Sequence, residues 1–251
     1  LPKLKVNINK WIYFELLETS NLIKRNIEDY RFDEAAKNAY HFAWHKYCDW
    51  YLELSKTILF SDNLKAKNEV KEVSAFVFRQ ILIMLHPFIP FVTEKIWLTN
   101  KFDNKNKNFL MLSNWISGKS KKDSDHKQVQ QIIDIISEVR SFKNELNVSP
   151  GSFIDVSINS IKKNNQNFMI NNEIIIKKLG RINNFFKKDQ NKPAASLIIS
   201  GDLFKIYFDE NVDLNAIKEN LLKRQNKYQE EMDKISQRLS NKGFVQRAPK
   251  D

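Results

Sequence analysis

The run Arg31–Lys56, RFDEAAKNAYHFAWHKYCDWYLELSK, is the longest and densest aromatic and aliphatic stretch in the chain. Steps of three and four residues join Ala36, Ala39/Tyr40, Ala43, Tyr47, Trp50/Tyr51 and Leu54, the spacing of one face of an α-helix. Lys37, His41, His45, Asp49 and Glu53 take the opposite face. Asp33 stands where a carboxylate can cap the first turn. A helix with so wide an apolar face needs neighbours on several sides, so the surrounding chain should be helical too. Composition agrees. Only 5 glycines and 6 prolines in 251 residues leave little turn chemistry for an all-β fold, and a hydrophobic content of 42% supplies a core.

Taken in order, the chain predicts a first helix over Asn9–Glu28, with Ile12, Leu16, Ile23 and Ile27 as its stripe, joined by Ile8 and Tyr30. A turn at Asp29–Arg31 folds the aromatic helix back antiparallel to it. A third helix covers Ala66–Leu85 and stops at Pro87. LHPFIPFVTEKIW (85–97) predicts a helix end, a tight turn and a new helix, with Pro90 in a first turn where its missing N–H costs nothing. Glu94 favours that positive end. The stretch 103–127 is linker-like, interrupted by an apolar island, Phe109–Trp115, that packs back on the bundle. A fifth helix follows over Lys127–Leu146, its stripe Val129, Ile132/Ile133, Ile136, Val139/Arg140 and Leu146. Ser149-Pro150-Gly151 breaks the pattern. Phe153–Ile158 alternates like a strand. Asn167–Leu179 predicts a helix, and Ala194–Ile199 with Leu203–Phe208 predict a hairpin around Ser200-Gly201-Asp202. From Asp213 a near-heptad apolar seam runs through Leu214, Ile217, Leu221, Tyr228, Met232, Ile235 and Leu239 on an otherwise charged helix. Asn241-Lys242-Gly243 ends it, and Pro249 is placed to start a return helix that this sequence lacks. The expected fold is therefore mainly α. An antiparallel helical bundle (1–147) precedes a small α/β unit (148–210) and the first helix and tip of a coiled coil (211–251).

The net charge is +11, which favours a polyanionic partner, RNA above all, although a solvated lysine surface reads the same way. The single Cys48 admits neither an internal disulfide nor a thiolate cluster, which suits the cytoplasm. No apolar run is long enough to span a bilayer, so no membrane partner is expected. The N-terminus, LPKLKVNINK, has no apolar signal region and no starting Met, which points to a piece of a longer chain. No glycine-rich phosphate cradle occurs. His41 and His45, four apart on one helix face, form no HExxH or other recognised ligand set, so no metal site is expected. No catalytic residue is assigned.

Several segments together resemble the valyl-tRNA synthetase family. The aromatic helix resembles the second helix of that family's anticodon-binding domain, LHPFIPFVTEKIW its third-to-fourth helix junction, and IISEVRSFKNELNVSPG (136–151) its fifth helix and exit. RLSNKGFVQRAP (238–249) resembles the tip of its C-terminal coiled-coil arm. The wording CDWYLELSK is closer to the valyl branch than to the isoleucyl and leucyl ones. The family's ATP-binding signatures and its editing domain are absent from this sequence. The resemblance implies a monomeric tRNA-recognition piece whose partners are valine tRNA and a catalytic domain of the same chain, with ATP and Mg belonging to that domain and no cofactor in this part.

RNA loops are read by stacking splayed bases on aromatic or guanidinium planes while Lys and Arg hold phosphates. Trp11, Phe14, Asn21, Lys24 and Arg25 on the first helix, and Arg140, Lys143, Glu145 and Asn147 on the fifth, offer that chemistry if the two helices lie side by side. Lys223, Arg224 and Lys227, with Lys218, Lys234 and Arg238, offer it along the coil. The plainer alternatives are that Trp11 and Phe14 widen the buried stripe, that Arg140 makes a salt bridge across the bundle, and that the coil is an ordinary charged surface. At the level of function, the same region of an isoleucyl or leucyl enzyme, or a helical scaffold using its coil for protein contacts, remain alternatives.

Overall fold

A computed structural model describes residues 4–102, 109–119, 124–189, 193–208 and 212–240. Compactness divides the chain into two units, 1–134 and 135–251.

In the first unit, α1 (Asn7–Glu28) starts without a cap of its own. The Glu69 carboxylate does that work, accepting from the Lys5 and Val6 N–H groups at 3.0 and 2.9 Å and from Asn9 Nδ2 at 3.0 Å. Burial pushes the Glu69 carboxyl up, but these three bonds outweigh it and hold it below its ordinary range. The helix ends with Tyr30 in the left-handed region at φ 59°, while Tyr30 and Arg31 N–H groups satisfy the Ile27 and Asn26 carbonyls. That conformation turns Tyr30 outward, 83% exposed, so it does not join the stripe.

The aromatic stretch forms α2 (Phe32–His41), a π-helical segment (Phe42–Leu52) and α3 (Glu53–Leu59). The wider winding of a π-helix explains why Phe42, Tyr47 and Tyr51 are the buried aromatics, five and four residues apart. Tyr40, expected inside, is exposed, and Asp33 sits in the first turn of α2 without capping it. Tyr51 Oη donates to Asn9 Oδ1 at 2.7 Å. This bond joins the start of α1 to the far end of the second rod, and the Asp29–Arg31 turn joins their other ends, so the two run antiparallel. Next, α4 (Leu64–Leu85), capped by Asn63 Oδ1 on the Ala66 N–H, buries Val70, Val73, Val77, Ile81 and Met84. The following α5 (Pro90–Thr99) carries Pro90 at its start. Glu94 does not serve that end; its carboxylate accepts from the Leu110 N–H. That bond seats the apolar island, where Leu110 is buried with Leu82, Ile83 and Trp97, and Trp115 packs against the same cluster.

The helix α6 (Ser124–Glu145) crosses the division between units. The sequence places the end of the bundle at residue 147, thirteen residues later. The difference has a physical basis, because the second half of α6 bonds to the α/β part: Arg140 and Lys143 reach carbonyls there, and Phe142 stacks on Phe208 at 6.3 Å. A four-stranded sheet in the order β2-β1-β4-β3 forms the second unit's core. Its strands are β1 (Ile154–Ser157), β2 (Ile182–Phe186), β3 (Ala195–Ile199) and β4 (Asp202–Phe208). Parallel β1 and β2 are joined through α7 (Lys163–Asn171) and α8 (Glu173–Gly180), where one helix was expected. Ser200 and Gly201, both at positive φ, make the tight turn between β3 and β4. Finally α9 (Leu214–Ser240) begins on Asp213, whose Oδ1 accepts from the Asn215 and Ala216 N–H groups. The expected turn at Asn241-Lys242-Gly243 and Pro249 lies outside the described residues.

Candidate nucleic-acid interface

Trp11 is fully buried, its ring 5.8 Å from Lys46 Nζ, and Phe14 packs edge-on against His126 at 4.5 Å. Both belong to the core and cannot present a face to a base. Of the two readings the sequence leaves open for them, the wider buried face holds, because α1 is covered on more of its circumference than one stripe: α2, the π segment and α4 all pack on it. Asn21 keeps a partly exposed side chain, with Nδ2 donating to the Gly118 carbonyl at 2.8 Å. The neighbouring Ser20 Oγ donates to the Ile116 carbonyl. Lys24 and Arg25 are exposed at the last turns of α1, Lys24 lying 3.8 Å from Glu28. Exposed aromatic rings of this unit stand elsewhere: Tyr40 and Trp44 stack at 6.2 Å and 9°, beside His41 and His45. Burial, followed by the charge of His45, holds the His41 imidazole below its ordinary pKa. His45 Nδ1 is paired with Asp49 at 2.9 Å.

In the second unit, the C-terminal half of α6 presents Arg140 to solvent, while its Nε and Nη2 donate to the Leu179 carbonyl at 3.1 and 2.9 Å. Lys143 does the opposite of what its sequence position suggests. It is 3% exposed, and its ammonium donates to the carbonyls of Ser152, Gly180 and Arg181 at 2.9, 3.0 and 3.2 Å. Burial, aided by the like charges of Arg181 and Arg140, holds it down to about 8. Lys143 is thus a clamp between loops, not a phosphate ligand. Asn147 is exposed at φ 59°. Its N–H and that of Val148 close the end of α6 on the Asn144 and Lys143 carbonyls, a backbone duty that asparagine tolerates well.

Around these residues lies a cleft of ≈ 550 Å³ whose walls include Arg140, Asn144, Pro150 and Arg181. Arg181 had no motif to mark it. It follows α8 in the left-handed region at φ 54°, and its guanidinium lies 5.6 Å over Phe153. Along α9 every side chain from Leu214 to Ser240 except Ile217 is exposed, Lys223 and Lys227 included. Arg224 Nη1 donates to the Glu145 carbonyl at 2.7 Å. Among the described residues no helix is long and apolar enough to cross a membrane.

Comparison with known proteins places these features in context. A family described as the anticodon-binding domain of tRNA ligase matches residues 9–158, and one described as the valyl tRNA synthetase tRNA binding arm matches 213–251. The chain is 70% identical over 250 residues to a valine–tRNA ligase of Pelagibacter ubique, covering all of this chain and 29% of that protein. Valine–tRNA ligases of Brucella suis and Bartonella quintana are each 32% identical over 97% and 98% of the chain. The chain spans under a third of the length of these relatives. With one family model matching residues 9–158, more than half of it, and a long exposed helix, α9, within the stretch matched by the other, the chain belongs to the family of tRNA ligase anticodon-binding domains and carries a valyl-type tRNA-binding arm.

Proposed function

We propose that this chain recognises valine tRNA on behalf of a valine–tRNA ligase in the cytoplasm. Anticodon recognition draws on Lys24 and Arg25 in the first unit, and RNA contact on Arg140 and Asn147 at the end of α6 in the second. The arm steadies the tRNA body through Lys223, Arg224 and Lys227. Aminoacylation, with its ATP and Mg, belongs to a catalytic domain of the same longer protein, which acts as a monomer. One coincidence carries the reading. Lys24, Arg25, Arg140, Lys223, Arg224 and Lys227 are all exposed, and all lie on segments that match tRNA-binding families.

The test is a titration of labelled valine tRNA, and of the same tRNA with its anticodon exchanged, at several salt concentrations. Affinity should fall steeply with salt, because released counterions drive phosphate contacts. Exchanging the anticodon should weaken binding about tenfold or more, since it takes away hydrogen bonds to base edges, and a polar partner left unsatisfied costs on the order of 1–3 kcal/mol. Equal binding of the two tRNAs would remove anticodon reading from the proposal.

A further inference from the structure

The cleft at the end of α6 joins two kinds of surface. Its exposed lining is Arg140, Ser141, Asn144, Pro150 and Arg181, and its buried lining is Lys143, Val148, Leu179 and Gly180. No carboxylate is among these residues, so the walls themselves do not repel an anion. The Lys143 ammonium is tied to the carbonyls of Ser152, Gly180 and Arg181. Those bonds hold the loop after α6 and the turn after α8 in register, which makes the cleft a built feature of the unit. They also fix the cation of one lining residue, Lys143, within the cleft wall.

A bare inorganic anion makes no use of an apolar floor, and an apolar ligand makes no use of two guanidiniums. A nucleotide uses both, with a phosphate for the cations and a flat base for the apolar wall. The volume, ≈ 550 Å³, falls within the roughly 300–1,000 Å³ of small-molecule sites. We infer that this cleft takes a single unstacked nucleotide of an RNA loop, its phosphate against Arg181 and Arg140 and its base over Pro150 and Val148. The inference rests on the RNA-binding reading above and adds to it a residue, Arg181, and a pocket.

Two measurements on the full chain test it. Nucleoside 5′-monophosphates, and inorganic phosphate separately, are titrated while the amide resonances of Val148, Gly180 and Arg181 are followed. Nucleotides should shift these resonances at millimolar concentration and phosphate alone should bind several-fold more weakly. Labelled tRNA is then titrated into the unaltered chain, Arg181→Glu and the control Lys187→Glu, which makes the same charge change at an exposed position outside the cleft lining. Arg181→Glu should lose about tenfold more affinity than the control, the loss of one stacked or phosphate-held nucleotide. Cleft resonances that ignore nucleotides, or that respond equally to phosphate, overturn the assignment. Intact tRNA binding that is indifferent to Arg181→Glu overturns the cleft alone, whereas an unaltered chain that binds no tRNA at low salt overturns the RNA reading with it.

Discussion

Helices α1 and α9 are built from similar sequence patterns and end in opposite environments. Both carry apolar residues at helical spacing, in α9 with one slip around Arg224 and Gln225. Ten of the 22 residues of α1 are buried, whereas none of the 27 in α9 is. An apolar stripe therefore states that a face can be covered; it does not state what covers it. For α1 the cover comes from α2, the π segment and α4, all within the same unit. For α9, at ~1.5 Å per residue a rod of about 40 Å, the seam of Leu221, Tyr228, Met232, Ile235 and Leu239 stays in water among the described residues.

The contrast is sharpest at single positions. Leu16→Ala removes a side chain with no solvent exposure from the centre of α1. It should cost about 2–5 kcal/mol, the range for large-to-small changes in a packed core. Urea denaturation at fixed pH measures it. A loss below about 1 kcal/mol would mean that α1 is covered more loosely than its burial indicates.

A middle case lies in α6, where a charged side chain is inside. Lys143→Met keeps the stem and removes the ammonium, leaving the carbonyls of Ser152, Gly180 and Arg181 without it. A buried acceptor left unsatisfied costs about 1–3 kcal/mol. The pH dependence has a definite sign. The Lys143 ammonium sits at about 8 in the folded chain against 10.5 ordinarily, held down by burial first and by Arg181 and Arg140 second. Between those pH values the unfolded chain binds more protons, so the folded chain gains stability as pH rises through that window. The deficit of Lys143→Met should therefore widen from pH 8 to pH 10, as denaturation midpoints at the two pH values will report. A deficit that shrinks would reverse the sign of the shift.

These cases show what a sequence carries and what it leaves to the fold. The stripe positions Ile12, Leu16 and Ile23, the α4 face, the Pro90 start and the β3–β4 turn are set by local chemistry and were readable one residue at a time. Trp11 and Phe14 stay open between core and surface in the sequence, because only the arrangement of three neighbours decides how wide a buried face becomes. The π winding at Phe42–Leu52 does not show in a reading of period 3.6, because there the backbone bonds span five residues and the buried aromatics fall five and four apart. The strand β2, INNFF, does not alternate and is recruited by pairing with β1. Nor does any motif foretell that Lys143 turns inward to three carbonyls, or that Arg181 reaches the same cleft from α8 nearly forty residues on. In the candidate site, residue types were readable but directions were not.

The smallest expected effect bears hardest on the comparison of α1 with α9. Ile235→Ala on the seam of α9 removes a branched side chain that is already more than half exposed. Surface substitutions of this kind stay within about 0.5 kcal/mol. That holds only while the seam faces water. If a second copy of the chain covers it, the same change removes buried contacts, and its cost grows with protein concentration because association stabilises by mass action. Denaturation of the unaltered chain and of Ile235→Ala at two concentrations a hundredfold apart, with sedimentation to count copies, separates the cases. The small, concentration-independent value is expected, since the other faces of α9 carry Lys218, Lys223, Lys227 and Lys234 among its acids. A loss near 2 kcal/mol that rises with concentration would match the range for buried apolar truncation. It would show that α9 is a core helix like α1, whose cover comes from outside the chain.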